Sequence, residues 1–173
     1  KIGDLKLLPK DNYNSKIEKL KDSVKGKLII KEYPTATASV NHFRALLEEL
    51  KLKKSFVPDV VFVDYLNICT SSRLKQGNVG SYFFVKAIAE ELRGLAVENN
   101  IPLFTATQTN RDGFSNTDVS LENTSESFGL PATADFMFAL ISTEELEGLD
   151  QIMVKQLKNR YNDTAVNKKF ILK

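Results

Sequence analysis

The sequence predicts an α/β fold, in which a mostly parallel sheet with flanking helices is followed by a C-terminal antiparallel β-hairpin. Two apolar runs, 59–64 and 101–107, are nearly continuous, as in central strands that are buried on both faces. Helical patterns connect the successive strand patterns, which indicates parallel, right-handed crossovers. A polar turn, 159–163, separates the last two strand patterns and predicts a hairpin at an edge of the sheet.

Before the first central strand, apolar spacing and helix-boundary residues define three elements. Residues 11–24 form a lysine-rich amphipathic pattern that predicts a helix. The short apolar run 27–31 predicts a strand, which Pro34 ends. Ser39 is a typical N-cap residue for the helix predicted over 40–52.

Polar segments separate the elements that follow. Residues 70–81 contain two glycines and predict a mobile loop, and residues 110–131 form a second polar stretch. Asn99 and Asn100 end the helix between the two central strands. In order, the predicted elements are strand 59–64, helix 82–98 and strands 101–107, 135–142, 151–158 and 167–172.

Composition predicts one soluble globular domain over residues 1–173, with 1–26 as a helical lead-in segment. Hydrophobic residues make up 42% and charged residues 27%, and no apolar run approaches the ~20 residues that span a bilayer. No secretory signal is visible, and a single cysteine, Cys69, predicts a reducing compartment, the cytoplasm. Cys69 is interpreted as a buried apolar residue. The single histidine, His42, is interpreted as a polar first-turn helix residue, which argues against a histidine metal site.

Charge is segregated along the chain although the formal net charge is only +2. Residues 1–31 carry nine lysines against four acidic residues, and residues 151–173 carry six basic residues against one. Between them, residues 112–150 carry nine acidic residues and no lysine or arginine. Such blocks indicate either surfaces for different partners, including a second copy of the chain, or solvated faces with no partner.

A carboxylate and an amide follow the two central strands. Asp64 directly follows the first apolar run, where a parallel strand opens into a ligand crevice, and could hold Mg²⁺ directly or through water. Gln108 follows the neighbouring strand and could sense a terminal phosphate or orient water. The alternatives are a turn-capping aspartate and an ordinary polar strand end. Arg111 could bind phosphate or pair with Asp112.

The sequence lacks the loop that would grip the phosphates. No G-x-x-x-x-G-K-[ST] motif occurs in the 173 residues. The pattern therefore predicts part of an NTP-driven machine without its phosphate-binding loop. Because the chain starts at Lys1 rather than Met, we expect a fragment or a processed piece.

Two further segments carry candidate binding residues. Lys158 and Arg160 alternate on one strand and so point to the same side, where they could reach a phosphate on another subunit. The alternative is a solvated basic hairpin. Backbone N–H groups of a small-residue loop could follow a nucleic-acid strand, with Arg73 and Lys75 adding charge, or the loop could be plain surface. The loop residues are Ser125, Glu126, Ser127, Phe128 and Gly129.

In order, five segments resemble one family: Lys31–Thr35, Val60–Leu66, Thr107–Arg111, Glu126–Ser127 with Ala134–Asp135, and Lys155–Arg160. They are similar to the region before Walker B, the Walker B strand, the sensor strand, the DNA-binding loop and the arginine-finger hairpin of DnaB-family hexameric replicative DNA helicases. The wording of these motifs resembles that of the T-even phage members. The resemblance covers most of residues 27–173 and implies the C-terminal part of a RecA-like motor.

The resemblance implies a role for each motif. Asp64 would position the Mg²⁺ shell through water molecules, and Gln108 would contact the γ-phosphate of ATP or GTP. Arg160, helped by Lys158, would act on ATP held by the adjacent subunit. The loop at 125–129 would hold single-stranded DNA. Implied partners are single-stranded DNA, a homo-hexameric ring, a primase and a helicase loader, with no membrane; the implied location is the host cytoplasm if the protein is phage-encoded.

Departures from the family pattern leave two alternatives. Ser125 stands where the family usually has arginine, and the acidic segment around it favours DNA contacts through backbone amides. The missing phosphate loop predicts that the chain alone is inactive. The first alternative is a non-catalytic RecA-like module that binds partner subunits or DNA. The second is a different α/β phosphotransferase that uses Asp64.

Overall fold

The computed structural model describes residues 7–109, 120–121 and 129–173, which divide into two units, Lys1–Glu32 and Tyr33–Lys173. The helices are α1 (Lys10–Ser23), α2 (Val40–Lys54), α3 (Ser81–Asn99), α4 (Gly129–Thr133) and α5 (Glu144–Gly148). The strands are β1 (Val61–Val63), β2 (Leu103–Thr105), β3 (Phe136–Ile141), β4 (Ile152–Asn159) and β5 (Lys169–Leu172). None of the helices in these ranges is long and apolar enough to cross a membrane.

The first unit contains α1, which confirms the lysine-rich helix predicted over 11–24. None of its side chains is buried. The strand predicted over 27–31 is wrong, because this segment forms no strand, and Leu28 and Ile30 are exposed. A strand requires a hydrogen-bonded neighbour, and within the described ranges no strand pairs with this segment.

Helix α2 begins as predicted, at Ser39. The Ser39 backbone N–H donates to His42 Nδ1 over 3.1 Å, which satisfies an amide at the helix N-terminus. His42 is therefore a capping residue in the first turn of the helix. Ser55, with φ of 47°, ends the helix in the left-handed region.

Strands β1 and β2 pair in parallel, with Val61 opposite Leu103 and Val63 opposite Thr105, and α3 connects them. Helix α3 ends at Asn99, and Asn100 caps it, as the two asparagines predicted. Among the described residues, it supplies five of the eight buried residues in the larger core cluster, and its Leu95 is fully buried, at 0% exposure. The buried α3 residues in the core cluster are Phe84, Val85, Ile88, Ala89 and Leu92. Cys69 and Leu66 pack with them, which confirms the interpretation of Cys69 as a buried apolar residue.

The prediction that both central strands are buried on both faces is wrong for one face. Val63 and Leu103 pack against the α3 core. Phe62 and Phe104 point to the other side, where they are 70% and 54% exposed and stack with ring centroids 5.2 Å apart. An apolar run shows that a strand is hydrophobic, but it does not show which element covers each face; none of the described elements covers this one.

Strands β3, β4 and β5 form an antiparallel sheet in that order. The predicted hairpin is present as β4 and β5, with Val154 opposite Phe170. Its predicted place at the edge of the parallel sheet is wrong in the described part of the chain, because β4 pairs with β3 instead. The connection from β3 to β4 is short and contains only α5, so antiparallel pairing of these neighbours requires little loop closure.

The first part of the loop predicted over 70–81 is fixed to α3 by Glu91. The Glu91 carboxylate is buried and accepts hydrogen bonds from Ser71 Oγ at 2.5 Å, and from the Ser72 N–H and Ser72 Oγ at 2.8 Å. Arg73 Nε lies 3.3 Å from it. Burial raises the pKa of Glu91, but these hydrogen bonds outweigh burial and bring the pKa below its ordinary value of 4.5. The loop therefore begins at a defined position.

Glu91→Gln is expected to lower the free energy of unfolding by about 1–3 kcal/mol at neutral pH, because a charged acceptor with several donors is lost. A folded-state pKa below 4.5 means that the carboxylate stabilises the fold above about pH 4.5 and loses this effect as the pH falls through the folded-state pKa. The difference from wild type should therefore shrink at acidic pH. Urea unfolding at pH 7 and pH 3.5 measures it.

Glu90→Gln is the matched control, since Glu90 is the adjacent, more exposed carboxylate and also pairs with Arg73. It should cost less than about 1 kcal/mol. An equal loss of stability in the two variants would contradict the anchoring role of Glu91.

Candidate functional site

The carboxyl ends of β1 and β2 lie side by side and carry the predicted polar residues. Thr107 Oγ1 donates to Asn67 Oδ1 over 2.8 Å, and the Leu66 N–H donates to the Ala106 carbonyl over 3.1 Å. These bonds join the two segments that follow the strands. The prediction that the two strand ends lie side by side is therefore confirmed. Their proximity follows from the parallel pairing of β1 with β2.

Asp64 and Gln108 are both exposed at this edge. Gln108 Nε2 lies 3.5 Å from Tyr65 Oη, and Tyr65 follows Asp64 directly. A carboxylate and an amide are thus available to a ligand above the strand ends. Their roles toward a phosphate and a metal stay predictions.

The donor chemistry at this edge fits a hydrated Mg²⁺ ion. No cluster of three or more histidine, cysteine, aspartate or glutamate side chains occurs within the described ranges. Mg²⁺ at phosphate-transfer sites usually keeps several waters and takes one or two carboxylates plus substrate oxygens. An exposed, single Asp64 carboxylate matches that requirement, whereas it would not hold a zinc or calcium ion alone.

The predicted cations Lys158 and Arg160 both contact α4 or the residues that lead from α4 into β3. Arg160 Nη1 lies 3.0 Å from Asp135 Oδ1, and its Nη2 donates to the Ala132 carbonyl over 3.3 Å. Lys158 Nζ donates to the Pro131 carbonyl. Lys158 lies within β4, opposite Met137, and Arg160 follows the strand directly.

Arg93, on α3, completes this group and was missed by the sequence analysis. Arg93 Nη1 donates to Asp135 Oδ2 over 2.7 Å and to the Thr133 carbonyl over 2.9 Å. We call Arg93, Asp135, Lys158 and Arg160 the basic cluster. Arg93 and Asp135 are 42 residues apart, and neither stands in a local pattern that predicts the contact.

The basic cluster carries three cations and one carboxylate. The pKa of Lys158 lies below its ordinary value, chiefly because the ammonium is partly buried, and also because Arg160 and Arg93 are nearby. Asp135 acts in the opposite direction. A site with this charge balance favours an anion such as a phosphate.

Arg73 and Lys75 both lie in the loop before α3. The Arg73 side chain is bound to residues of α3, whereas Lys75 is exposed. Arg73 Nη2 lies 2.8 Å from Glu90 Oε2 and also donates to the Ala87 carbonyl over 3.1 Å. Hydrogen bonding to Glu90, and further to Glu91, raises the pKa of Arg73. Its charge is therefore largely compensated by the chain itself, which makes it less available to a nucleic-acid phosphate than Lys75.

The predicted DNA loop is described only at its end. Ser125, Glu126, Ser127 and Phe128 lie outside the described residues, as does Arg111. Gly129 begins α4, where it is buried and its carbonyl accepts a hydrogen bond from Thr133 Oγ1 over 2.9 Å.

Comparison with known proteins gives consistent matches. The family model for the DnaB-like helicase C-terminal domain matches residues 2–169. The DnaB-like replicative helicase of Enterobacteria phage T4 is 51% identical over 161 residues, which are 92% of this chain. The chain spans about a third of that relative, 34% of its length.

Solved structures with the same fold include an ATPase domain, at a TM-score of 0.62 and 21% identity. A DnaB-like replicative helicase described with its primase interactions has a TM-score of 0.62 and 20% identity. Both matches cover 73% of this chain, and they cover 45% and 32% of the respective relatives. They confirm the RecA-like α/β fold class. The family model that matches nearly the whole chain, together with the 51% identity to the phage T4 helicase, shows that this protein belongs to the DnaB-like helicase C-terminal domain family.

Proposed function

We propose that this chain is the C-terminal part of the motor of an ATP-dependent replicative DNA helicase, which translocates on single-stranded DNA as a hexameric ring. The observation that carries the proposal is the parallel pairing of β1 and β2 in a chain of this family, because it puts Asp64 and Gln108 at adjoining strand ends. A motor of this kind unwinds duplex DNA at a replication fork. The partners that we propose are single-stranded DNA, further copies of the chain, a primase and a helicase loader.

In this proposal, Asp64 holds the water shell of Mg²⁺, and Gln108 contacts the γ-phosphate of ATP or GTP. Bound Mg²⁺ neutralises charge on the phosphate oxygens. The exposed position of both side chains at the end of the parallel pair supports these roles. Tyr65, within 3.5 Å of Gln108, restricts where the amide can point.

Arg160 and Lys158 act in trans, on the nucleotide held by the adjacent subunit. Lys158 and Arg160 lie at the end of β4, and Arg160 keeps 41% of its side chain exposed. A guanidinium presented this way can stabilise charge that develops on a transferred phosphoryl group.

The first test is to determine the coding sequence upstream of Lys1. A G-x-x-x-x-G-K-[ST] motif between a strand and a helix would support the motor assignment. A protein that starts at Lys1 would instead favour a binding module that uses the fold without hydrolysis.

The 173-residue chain alone is expected to bind nucleotide poorly, because its sequence has no loop to surround the phosphates. Addition of about 1 mM Mg-ATP should raise its melting temperature by less than about 1 °C. Thermal unfolding followed by circular dichroism measures this. A saturable rise of several degrees would contradict the expected inactivity of the isolated chain.

In the full-length protein, Arg160→Ala is expected to lower kcat for ATP hydrolysis at least about 1000-fold, while the Kd for ATP stays within about 2-fold. The reason is that an arginine finger contributes to the transition state rather than to ground-state binding. The control is Arg44→Ala, which removes an arginine that pairs with Glu98 away from the site.

Subunit mixing distinguishes action in trans from action in cis. Rings that combine Arg160→Ala subunits with Asp64→Asn subunits should regain part of the activity, since some interfaces then contain an intact Asp64 and an intact Arg160. Normal turnover in rings made only of Arg160→Ala subunits would refute the finger assignment.

Lys75→Ala is expected to weaken single-stranded DNA binding by the full-length protein and to reduce the salt dependence of binding by about one ion. Arg73→Ala should weaken it less, because Glu90 and Glu91 already compensate Arg73. Fluorescence anisotropy at several salt concentrations measures both. Lys53→Ala, on the exposed end of α2, is the control; an equal effect of Lys53 and Lys75 would exclude a specific contact.

A further inference from the structure

We propose that Asp135 positions Arg160 for its action on the neighbouring nucleotide and that Arg93 fixes Asp135 to the core helix. Asp135 is thus a positioning residue, which touches the finger rather than the nucleotide. This inference rests on the proposed function of Arg160.

Asp135 contacts Arg160 through both backbone and side chain. The Arg160 N–H donates to the Asp135 carbonyl over 2.9 Å, and Arg160 Nη1 lies 3.0 Å from Asp135 Oδ1. The backbone and the guanidinium of Arg160 are therefore both held by the same residue. A further bond from Nη2 to the Ala132 carbonyl, at 3.3 Å, restricts the plane of the guanidinium.

The negative charge on Asp135 Oδ1, the carboxylate oxygen that faces Arg160, is compensated by the guanidinium of Arg160. Asp135 Oδ1 is buried and accepts no directed hydrogen bond from the described residues. Arg160 Nη1 is the cation that compensates it. Movement of Arg160 away from Asp135 would leave a buried carboxylate oxygen uncompensated, which is costly. Asp135 therefore resists displacement of Arg160 from this orientation.

Arg93 ties the pair to the helix that packs in the core. It bonds to the other oxygen of Asp135 at 2.7 Å and to the Thr133 carbonyl at 2.9 Å. On α3, Arg93 lies next to Leu92, which is buried in the core, and two residues before Leu95, which is fully buried. The contacts thus run from the core helix through Arg93 and Asp135 to Arg160.

These contacts hold the Arg160 guanidinium but leave some of its N–H groups available. The guanidinium carries five N–H groups, and its contacts with Asp135 and Ala132 leave N–H groups for a phosphate. The side chain remains 41% exposed. Since Arg93 and Lys158 add two further positive charges, one carboxylate does not neutralise the cluster, and an approaching phosphate is still attracted.

The test is a double-mutant cycle in the full-length protein, with Asp135→Asn, Arg160→Ala and the combination of both. Steady-state ATP hydrolysis is measured with saturating single-stranded DNA. Asp135→Asn should lower kcat at least about 10-fold with KM for ATP within about 2-fold, because a mispositioned finger affects the transition state. In the Arg160→Ala background it should have no further effect beyond about 2-fold. Asp135→Glu should restore part of the loss, and Asp59→Asn is the matched control.

The outcomes separate this inference from the proposed function. If Arg160→Ala abolishes turnover while Asp135→Asn retains it, the positioning role is overturned and the finger assignment stands. If Asp135→Asn lowers kcat equally with and without Arg160, Asp135 acts by another route and the inference is also overturned. If Arg160→Ala retains turnover, the finger assignment fails and the inference fails with it.

Arg93→Lys provides a milder variant in case Asp135→Asn does not fold. Lysine keeps the charge but cannot reproduce the guanidinium contacts with Asp135 and Thr133. It should lower kcat about 3-fold or more at unchanged KM. Arg44→Lys is the control, because Arg44 makes a comparable ion pair with Glu98 on the surface. Equal kcat values for the two variants would overturn the role of Arg93.

Discussion

Burial of α3 is the constraint on which the rest of the second unit depends. The helix connects the two parallel strands and buries one side of its apolar surface against β1, β2 and the turn that follows β1. Full burial of a leucine side chain is worth about 2 kcal/mol or more, and α3 contains several apolar residues at or near full burial. Parallel pairing follows from this crossover, and the parallel pairing in turn brings Asp64 and Gln108 to one edge.

Helix α3 also carries two charged residues, Glu91 and Arg93, on different sides of the helix. Glu91 and Arg93 are two residues apart and so cannot share a face of the helix. Glu91 fixes the start of the loop that carries Arg73 and Lys75, whereas Arg93 holds Asp135 next to Arg160. A single rigid element thus sets the positions of the loop proposed for DNA and of the finger proposed for the neighbouring nucleotide.

The sequence predicted the positions that depend on local periodicity. Alternation along β4 placed Lys158 and Arg160 on one side, and the apolar run before Asp64 placed that carboxylate at a strand end. Contacts between distant segments, such as Arg93 with Asp135 and Glu91 with Ser71, have no local signal because each residue alone resembles ordinary helix or loop surface. The same reason explains the errors at 27–31 and at Phe62, where the outcome depends on which element lies alongside rather than on the run itself.

A finger that acts across a subunit boundary has a specific entropic requirement. A free arginine side chain loses about 2 kcal/mol of rotamer entropy when it is fixed. If this loss occurred in the transition state, it would subtract from the charge stabilisation that the guanidinium provides there. In the folded chain Asp135 and Ala132 have already restricted Arg160, and the loss is offset by an ion pair that also compensates a buried oxygen. Arg93 makes the restriction effective, because a carboxylate that moved freely could not hold a guanidinium in place.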